Sequence, residues 1–152
     1  MKLSTKGRYA LVALIDIAFH EREGLVSIAE VSKRQDISDT YLEQLFAKLR
    51  RNGFLDSVRG PGGGYRLAQA PNDIRIDKVL AAVDESIDAL ATGAGAKGGV
   101  SGSREQSLAN RLWEGLSAHV YVFLHNTTLA DIMGNSLVPC PAIPVILEFE
   151  DA

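Results

Sequence analysis

A glycine-rich run most constrains the fold, because neither a helix nor a continuous strand can pass through it. Four glycines and one proline fill five consecutive positions, Gly60-Pro61-Gly62-Gly63-Gly64. Glycine adopts the positive φ values that tight turns require, and proline cannot donate to a strand ladder. Residues 54–58 and 65–68 on either side have the composition of short strands. The run therefore predicts the tip of a β-hairpin.

This run does not qualify as a nucleotide-binding loop. Such loops follow a strand and open a helix, and the phosphate-binding loop ends in Gly-Lys-Ser/Thr. Here a strand-like segment follows the glycines, and that tripeptide is missing. The sequence also lacks a recognisable triad or metal motif, and His20, His119 and His125 stand apart from one another. We therefore do not expect an enzyme.

Three helices are predicted before the hairpin. Apolar residues recur at three- and four-residue spacing over 5–20. Ser27 and Glu30 form a capping-box pattern that predicts a short helix over 28–35. Ser38 or Asp39 caps a helix over 40–52, which Gly53 ends. A short helix, a tight turn, a second helix and a glycine-tipped hairpin are the elements of a winged helix-turn-helix.

That arrangement predicts which side chains meet DNA, because the second helix enters the major groove with its first turn on the base edges. Gln44 suits adenine, whereas Glu43 accepts from cytosine and repels phosphate elsewhere. Arg59 at the hairpin tip suits a minor groove. Lys48 and other basic residues are candidate phosphate contacts. The predicted DNA-binding set is Lys6, Arg8, Ser38, Thr40, Tyr41, Glu43, Gln44, Arg50, Arg51, Ser57, Arg59 and Gly60.

Plain core packing is the alternative interpretation of these helices, and we expect Tyr9, Phe46 and Tyr65 in a core rather than stacked on bases. The charge distribution favours DNA binding. The net charge is −3, but residues 1–66 carry 11 Lys and Arg against 8 Asp and Glu. Residues 67–152 carry 5 against 11. Anion-binding capacity therefore lies in the half with the predicted helix-turn-helix.

The second half predicts a helix over 74–88, a glycine-rich loop, a long helix over 104–125 and a short helical segment over 128–133. We expect a mainly α fold with a small β-hairpin wing and a long C-terminal helix. No apolar run approaches the roughly 18 residues of a membrane span, and Asp16 interrupts the apolar stretch near the N-terminus, so we expect a cytoplasmic protein. Cys140 is the sole cysteine, which excludes an internal disulfide.

Several segments together resemble the IscR family of winged-helix repressors, bacterial iron–sulfur cluster regulators. The nine-residue wing segment 57–65 is the most specific of them. The resemblance runs over about residues 1–90 and resumes over 112–129. The matching segments are 3–10, 37–46, 49–53, 57–65 and 82–86.

The resemblance implies a homodimer that binds an imperfect palindrome of double-stranded DNA and regulates, as a repressor, genes of iron–sulfur cluster assembly or iron homeostasis. It also implies that the long helix dimerises, and an apolar stripe on that helix suits this role. The stripe is Leu108, Leu112, Leu116, Val120 and Phe123. We then expect a DNA-binding domain over 1–88, a loop over 89–103, a dimerisation region over 104–135 and a flexible tail over 136–152. The positions that match the family's DNA-reading residues are Thr40, Tyr41, Glu43, Gln44, Arg59 and Gly60.

The sequence departs from the family at the cofactor. Sensing members bind a [2Fe–2S] cluster through three cysteines and a histidine. The corresponding positions here are about Ala94, Val100, Ser107 and Asn110, none of which is a thiolate or an imidazole.

Three interpretations stay open. In the first, no cluster is bound, and the protein is a constitutive regulator or an engineered cysteine-free variant. In the second, Cys140 ligates a cluster in a non-standard way with His119, His125, carboxylates or a partner subunit. Pro139 and Pro141 hold Cys140 extended, which favours an accessible thiol. In the third, another effector or a protein partner is sensed, with the acidic tail as a docking peptide. That tail carries Glu148, Glu150 and Asp151.

Overall fold

The computed structural model describes residues 4–85 and 103–137, which form six α-helices and a two-stranded hairpin. The predicted mainly α fold with a hairpin is confirmed. Within these residues, no helix is long and apolar enough to cross a membrane. The elements are α1 (Thr5–His20), α2 (Ile28–Gln35), α3 (Asp39–Arg51), β1 (Leu55–Val58), β2 (Gly64–Leu67), α4 (Ile76–Ala82), α5 (Arg104–Asn126) and α6 (Leu129–Met133).

The first three helices pack around one apolar core. Leu14 and Ile17 of α1 are fully buried against Leu42 and Phe46 of α3, and Val31 is the buried residue of α2. Each such side chain contributes about 1.5–3 kcal/mol relative to leaving it in water. The apolar spacing therefore predicts the buried face of α3 correctly. On α1 it is wrong for Phe19, which the three- and four-residue pattern includes and which is 57% exposed.

A buried carboxylate joins α1 to α2. The side chain of Asp16 is fully covered and accepts hydrogen bonds from Arg34 Nε at 2.9 Å and Arg34 Nη2 at 2.7 Å. Gln35 Nε2 donates a third bond at 2.8 Å, and His20 Nδ1 lies 3.7 Å from the carboxylate. The planar guanidinium matches the carboxylate with two parallel bonds. This network sets the orientation of the first helix of the helix-turn-helix on α1.

Local capping sets the ends of α2 and α3. The Ser27 hydroxyl accepts from the Glu30 N–H at 3.2 Å, and Glu30 Oε2 accepts from the Ser27 N–H at 2.7 Å, so the predicted capping box is confirmed. Asp36 takes the left-handed conformation, with φ 54°, and turns the chain after α2. The Ser38 hydroxyl accepts from the Tyr41 N–H at 3.2 Å, which makes Ser38 rather than Asp39 the cap of α3.

The hairpin tip is a tight turn over residues 60–63. The Gly63 N–H donates to the Gly60 carbonyl at 2.9 Å across Pro61 and Gly62, and Gly62 has φ 73°. Proline followed by a residue of positive φ is typical of a type II turn. A Cβ at Gly63 would lie 2.2 Å from the Val58 carbonyl oxygen. The tip therefore requires glycine at this position, because no other residue fits the space.

The hairpin is also attached to the helical core. β1 and β2 pair antiparallel, with Leu55 opposite Leu67. Val26, in the segment before α2, exchanges two backbone hydrogen bonds with Tyr65, at 2.9 Å and 2.7 Å. Phe46 of α3 packs edge-on against the Tyr65 ring, with centroids 4.8 Å apart. The wing is thus held on both its strand edge and its inner face.

The predicted helix over 74–88 is wrong in its bounds. The helix spans Ile76–Ala82 and follows a 3₁₀ turn over Pro71–Asp73. Ile74 is extended because its carbonyl accepts from the Leu129 N–H at 2.9 Å, and Arg75 bridges to Thr128. These bonds to a distant segment replace the first turn of the predicted helix. Residues 86–88 lie outside the described part of the chain.

The long helix α5 rests on the rest of the chain by one side only. None of its residues is buried. Near its C-terminal end, His125 Nδ1 lies 3.0 Å from the buried carboxylate of Asp77 in α4, and Arg75 Nη1 donates to the His125 carbonyl at 3.2 Å. These contacts anchor the end of α5 next to the start of α4. Within residues 4–85 and 103–137, nothing covers its apolar side chains Leu108, Leu112 and Leu116.

Candidate nucleic-acid interface

The first turns of α3 present polar side chains to solvent on one face. Thr40, Glu43 and Gln44 are all exposed, and their three- and four-residue spacing places them side by side. The Ser38 hydroxyl caps the start of this helix by accepting from the Tyr41 N–H. An exposed polar helix face of this kind fits the width of the major groove. The side chains expected to read bases therefore lie together.

Tyr41 has a different environment from its neighbours on α3. Its ring is half-buried and meets the Tyr9 ring edge-on, with centroids 5.6 Å apart. Its hydroxyl lies 3.3 Å from Thr5 Oγ1 at the start of α1. Tyr41 therefore joins α3 to α1 through its ring, and only its polar end can reach toward DNA.

The wing lies beside α3 and presents Arg59. Arg59 and Gly60 are exposed at the hairpin tip. Arg50 Nη1 donates to Ser57 Oγ at 3.1 Å, which ties the end of α3 to β1. An open groove of about 420 Å³ lies between α3 and the hairpin, lined by Arg50, Ser57, Arg59 and Ala47 among others. Two arginines thus border one concave surface that can receive an anionic backbone.

The remaining predicted phosphate contacts divide into two groups. Arg8 is exposed and Lys6 half-buried near the start of α1, and Arg51 is exposed with its Nε donating to the Ala47 carbonyl at 3.3 Å. Lys48 Nζ instead forms an ion pair with Asp84 Oδ2 at 2.6 Å. Lys48 is therefore engaged within the protein, which sequence reasoning did not predict.

Sequence reasoning also missed Glu85. Its carboxylate accepts from the N–H groups of Ser4 and Gly7 at the start of α1, at 3.2 Å and 3.1 Å, and from the Ser4 hydroxyl. Partial burial alone would raise the pKa of Glu85, but these hydrogen bonds and the charge of Lys6 outweigh it, and the pKa lies below its ordinary value. Eighty-one residues separate Ser4 from Glu85, so no local pattern could reveal this contact.

The positions at which the family has cluster ligands hold no suitable donors. Ser107 and Asn110 lie in the first turns of α5 and offer neither a thiolate nor an imidazole. Ala94, Val100 and Cys140 lie outside the described residues. Within residues 4–85 and 103–137, no three His, Cys, Asp or Glu side chains group in a way that could hold a metal ion. The usual three-cysteine, one-histidine set therefore does not fit this chain.

An apolar stripe lies open along α5. Leu112 is 63% exposed, Leu108 55%, Phe123 51% and Leu116 40%. Val120, predicted as part of the same stripe, is half-buried instead. Large apolar side chains exposed side by side along one helix are typical of an interaction surface.

Comparison of the sequence with known proteins gives consistent matches. The profile of the Rrf2 family, described as an iron-dependent transcriptional regulator, matches residues 3–135. The HTH-type transcriptional regulator IscR of Cereibacter sphaeroides is 64% identical over 153 residues, which cover 99% of each protein. The regulator of the same name from Erwinia tasmaniensis is 50% identical over 135 residues, 89% of this chain and 80% of that protein.

Solved structures share the fold. CymR (YrzC), the global cysteine regulator of B. subtilis, superposes with a TM-score of 0.74 at 29% identity, over 90% of this chain and 98% of that one. The T. potens IscR structure superposes with a TM-score of 0.68 at 35% identity, over 89% of this chain and 88% of that one. These likenesses extend beyond the helix-turn-helix and include most of the described chain.

Proposed function

Since this chain belongs to the Rrf2 family of iron-dependent transcriptional regulators, we propose that it binds operator DNA as a homodimer and represses genes of iron–sulfur cluster assembly or iron homeostasis. It is a DNA-binding transcription regulator and not an enzyme. The description of the family as iron-dependent supports the choice of target genes. The predicted DNA-binding residues and the homodimer are the parts of the proposal that depend on geometry.

One observation carries the DNA-binding part of this proposal. The exposed face of α3, with Thr40, Glu43 and Gln44, stands next to a wing whose tip presents Arg59. A helix in the major groove and an arginine in the adjoining minor groove would read two sides of one duplex. Glu43 would then exclude sequences that offer no donor to its carboxylate, because an unpaired carboxylate is repelled by the phosphates.

The homodimer is proposed from the uncovered stripe on α5. Two copies of that helix, related by a two-fold axis, would cover Leu108, Leu112, Leu116 and Phe123 of each chain. A two-fold dimer of helix-turn-helix domains binds two half-sites of opposite orientation, so the operator is expected to be an imperfect palindrome.

Replacing Arg59 with alanine should weaken operator binding by about 1–3 kcal/mol if its guanidinium lies in a groove or on a base. The probe is a duplex selected by the native protein from a randomised library, and the readout is fluorescence anisotropy. The matched control is Arg66→Ala on the same hairpin, where the side chain is exposed and stands 3.9 Å from Asp56. Equal affinities for the Arg59 and Arg66 variants would refute the role of the wing tip.

The cofactor part of the proposal concerns Cys140. We propose that this residue supplies the thiolate of any iron–sulfur cluster the chain binds, in a ligand set that departs from the family's. Cys140 is the sole cysteine of the chain, and the positions of the usual set hold other residues. Two copies of Cys140, His119 and His125 in a dimer would offer mixed cysteine and histidine donors.

Anaerobic purification tests the cofactor proposal. We expect visible absorbance, iron and acid-labile sulfide in the native protein, and their loss in Cys140→Ala but not in the control Ser107→Ala. Ser107 is the control because it occupies a family ligand position without a donor that suits iron. A colourless native protein that still binds the selected duplex would contradict the proposal and leave a cluster-free regulator, for which a stoichiometric co-purifying protein would identify a partner.

A further inference from the structure

The N-terminal end of α1 is capped by a carboxylate from far along the chain. A helix begins with backbone N–H groups that have no partner within the helix, and its dipole favours negative charge there. Glu85 accepts from two such groups, those of Ser4 and Gly7, while the Ser4 hydroxyl accepts from the Lys6 N–H at 3.2 Å. The N–H groups of Ser4, Lys6 and Gly7 are therefore occupied within the protein and are not free to bind DNA.

The packing of this cap explains why Gly7 stands inside a helix, where glycine is unfavourable. Glycine inside a helix costs about 1 kcal/mol relative to alanine. A Cβ at Gly7 would lie 2.9 Å from Leu80 Cδ2 and 3.0 Å from Glu85 Oε2. Gly7 thus leaves the space through which the carboxylate approaches the helix end. Lys6 and Arg8, the proposed phosphate contacts, flank this glycine on both sides.

Asp84, the residue before Glu85, contacts the second proposed DNA-binding helix, α3. Asp84 has φ 59°, and its carboxylate forms the ion pair with Lys48, three residues before the end of α3. The turn itself is fixed, because the Asp84 N–H donates to the Ala81 carbonyl at 3.1 Å and the Glu85 N–H to the Leu80 carbonyl at 2.9 Å. Two consecutive acidic residues at the end of α4 therefore reach two different helices.

From this geometry we propose that Asp84 and Glu85 are positioning residues for DNA binding, which hold the start of α1 and the end of α3 in one fixed relation. The inference rests on the proposed function, in which both helices contact DNA. Asp84 is exposed and ionised at neutral pH, and the hydrogen bond and charge of Lys48 lower its pKa further. Glu85 is ionised as well, for the reasons given above.

Whether removing a carboxylate weakens or tightens DNA binding distinguishes a positioning role from a purely electrostatic one. A negative charge near a DNA-binding surface repels phosphate, so removing it should tighten binding if charge alone matters. Loss of a positioning contact should weaken binding instead. Asp84→Asn and Glu85→Gln remove the charge with little change of shape. The matched control is Glu23→Gln, which removes an exposed negative charge from the same domain, outside this cap.

The experiment measures anisotropy on the selected duplex over a series of salt concentrations. We expect Asp84→Asn and Glu85→Gln to bind about fivefold more weakly than the native protein, with an unchanged salt slope, since no phosphate contact is lost. The reversed pair Lys48→Glu with Asp84→Lys should recover most of the loss due to Asp84→Asn. Glu23→Gln should bind as tightly as the native protein or slightly more tightly.

Two outcomes overturn the inference. Binding by both variants as tight as that of Glu23→Gln would mean that these carboxylates act only as charges. A salt slope steeper by about one in Asp84→Asn, with no rescue by the reversed pair, would mean that the released Lys48 contacts phosphate and that the ion pair only withholds it. Thermal unfolding of each variant shows whether it folds, and Asp84, at the surface, provides the test if Glu85→Gln does not fold. A native protein that selects no duplex would refute the proposed function itself.

Discussion

Replacing Asp16 with alanine is expected to lower the free energy of unfolding by about 3 kcal/mol. The substitution leaves Arg34 without the carboxylate that accepts two of its hydrogen bonds, and Gln35 without its acceptor. Breaking a buried ion pair by removing one partner costs about 3–5 kcal/mol. The lower end applies here because 32% of the Arg34 side chain is exposed and can recover water.

Urea denaturation at neutral pH measures this loss. The matched control is Asp56→Ala, which removes an exposed carboxylate 3.9 Å from Arg66 on the hairpin. Exposed pairs of this kind contribute about 0–1 kcal/mol, so the control should change stability little. If both variants shifted the midpoint equally, the Asp16 network would not hold α2 on α1 as described.

The same carboxylate gives stability a dependence on pH. Burial alone would raise the pKa of Asp16, but hydrogen bonds from Arg34 and Gln35 and the Arg34 charge outweigh it, so the folded-state pKa lies below 3.8. A carboxyl whose pKa is lowered by folding stabilises the protein above its unfolded pKa, and this contribution is lost as pH falls through the folded value. Asp16→Asn should therefore unfold with a weaker dependence on pH below about 4 than the native protein.

Replacing Leu112 with glutamate is expected to separate the proposed dimer and to reduce operator affinity by about a hundredfold. Leu112 is 63% exposed in a single chain, so the substitution should leave the fold of that chain intact. In a dimer it would bury two charges against the apolar stripe of the partner. A monomer binds one half-site and loses the gain in affinity that two linked modules provide, about 10²–10⁴.

Light scattering after gel filtration gives the mass, and anisotropy on the selected palindrome gives the affinity. Ala118→Glu is the matched control, because it places the same charge on an exposed position of α5 about 120° around the helix from Leu112. A Leu112→Glu protein that kept the dimer mass would contradict the proposed role of the stripe. A monomer that retained native affinity would contradict the two-half-site operator.

Short-range chemistry explains what sequence reasoning could predict. The capping pair Ser27 and Glu30 and the glycines of the wing act within a few residues, so their patterns identify α2 and the hairpin directly. The exposed face of α3 follows from the spacing of its buried stripe, Leu42, Leu45 and Phe46, because Glu43 and Gln44 lie off that stripe and point outward. Most of the fold and the predicted base-reading surface were therefore accessible from local pattern.

Long-range contacts explain the features that the sequence pattern did not predict. Ile74 and Arg75 leave the predicted helix because they bond to Thr128 and Leu129, more than fifty residues away. Asp16 looks like an interruption of an apolar stretch until Arg34 is placed beside it. The Glu85 cap likewise joins segments that no periodicity connects.

The Glu85 cap has a consequence for how this sequence can change over time. Alanine at position 7 would be a better helix former than glycine, yet its methyl group would meet the Glu85 carboxylate at 3.0 Å. Replacing the acid with a smaller residue removes this contact and leaves only Leu80 Cδ2, 2.9 Å from the same methyl position, to shift. The loss of stability due to a substitution at Gly7 thus depends on whether Glu85 has already been replaced. Changes at these two positions are therefore coupled in evolution, and the order in which they occur matters.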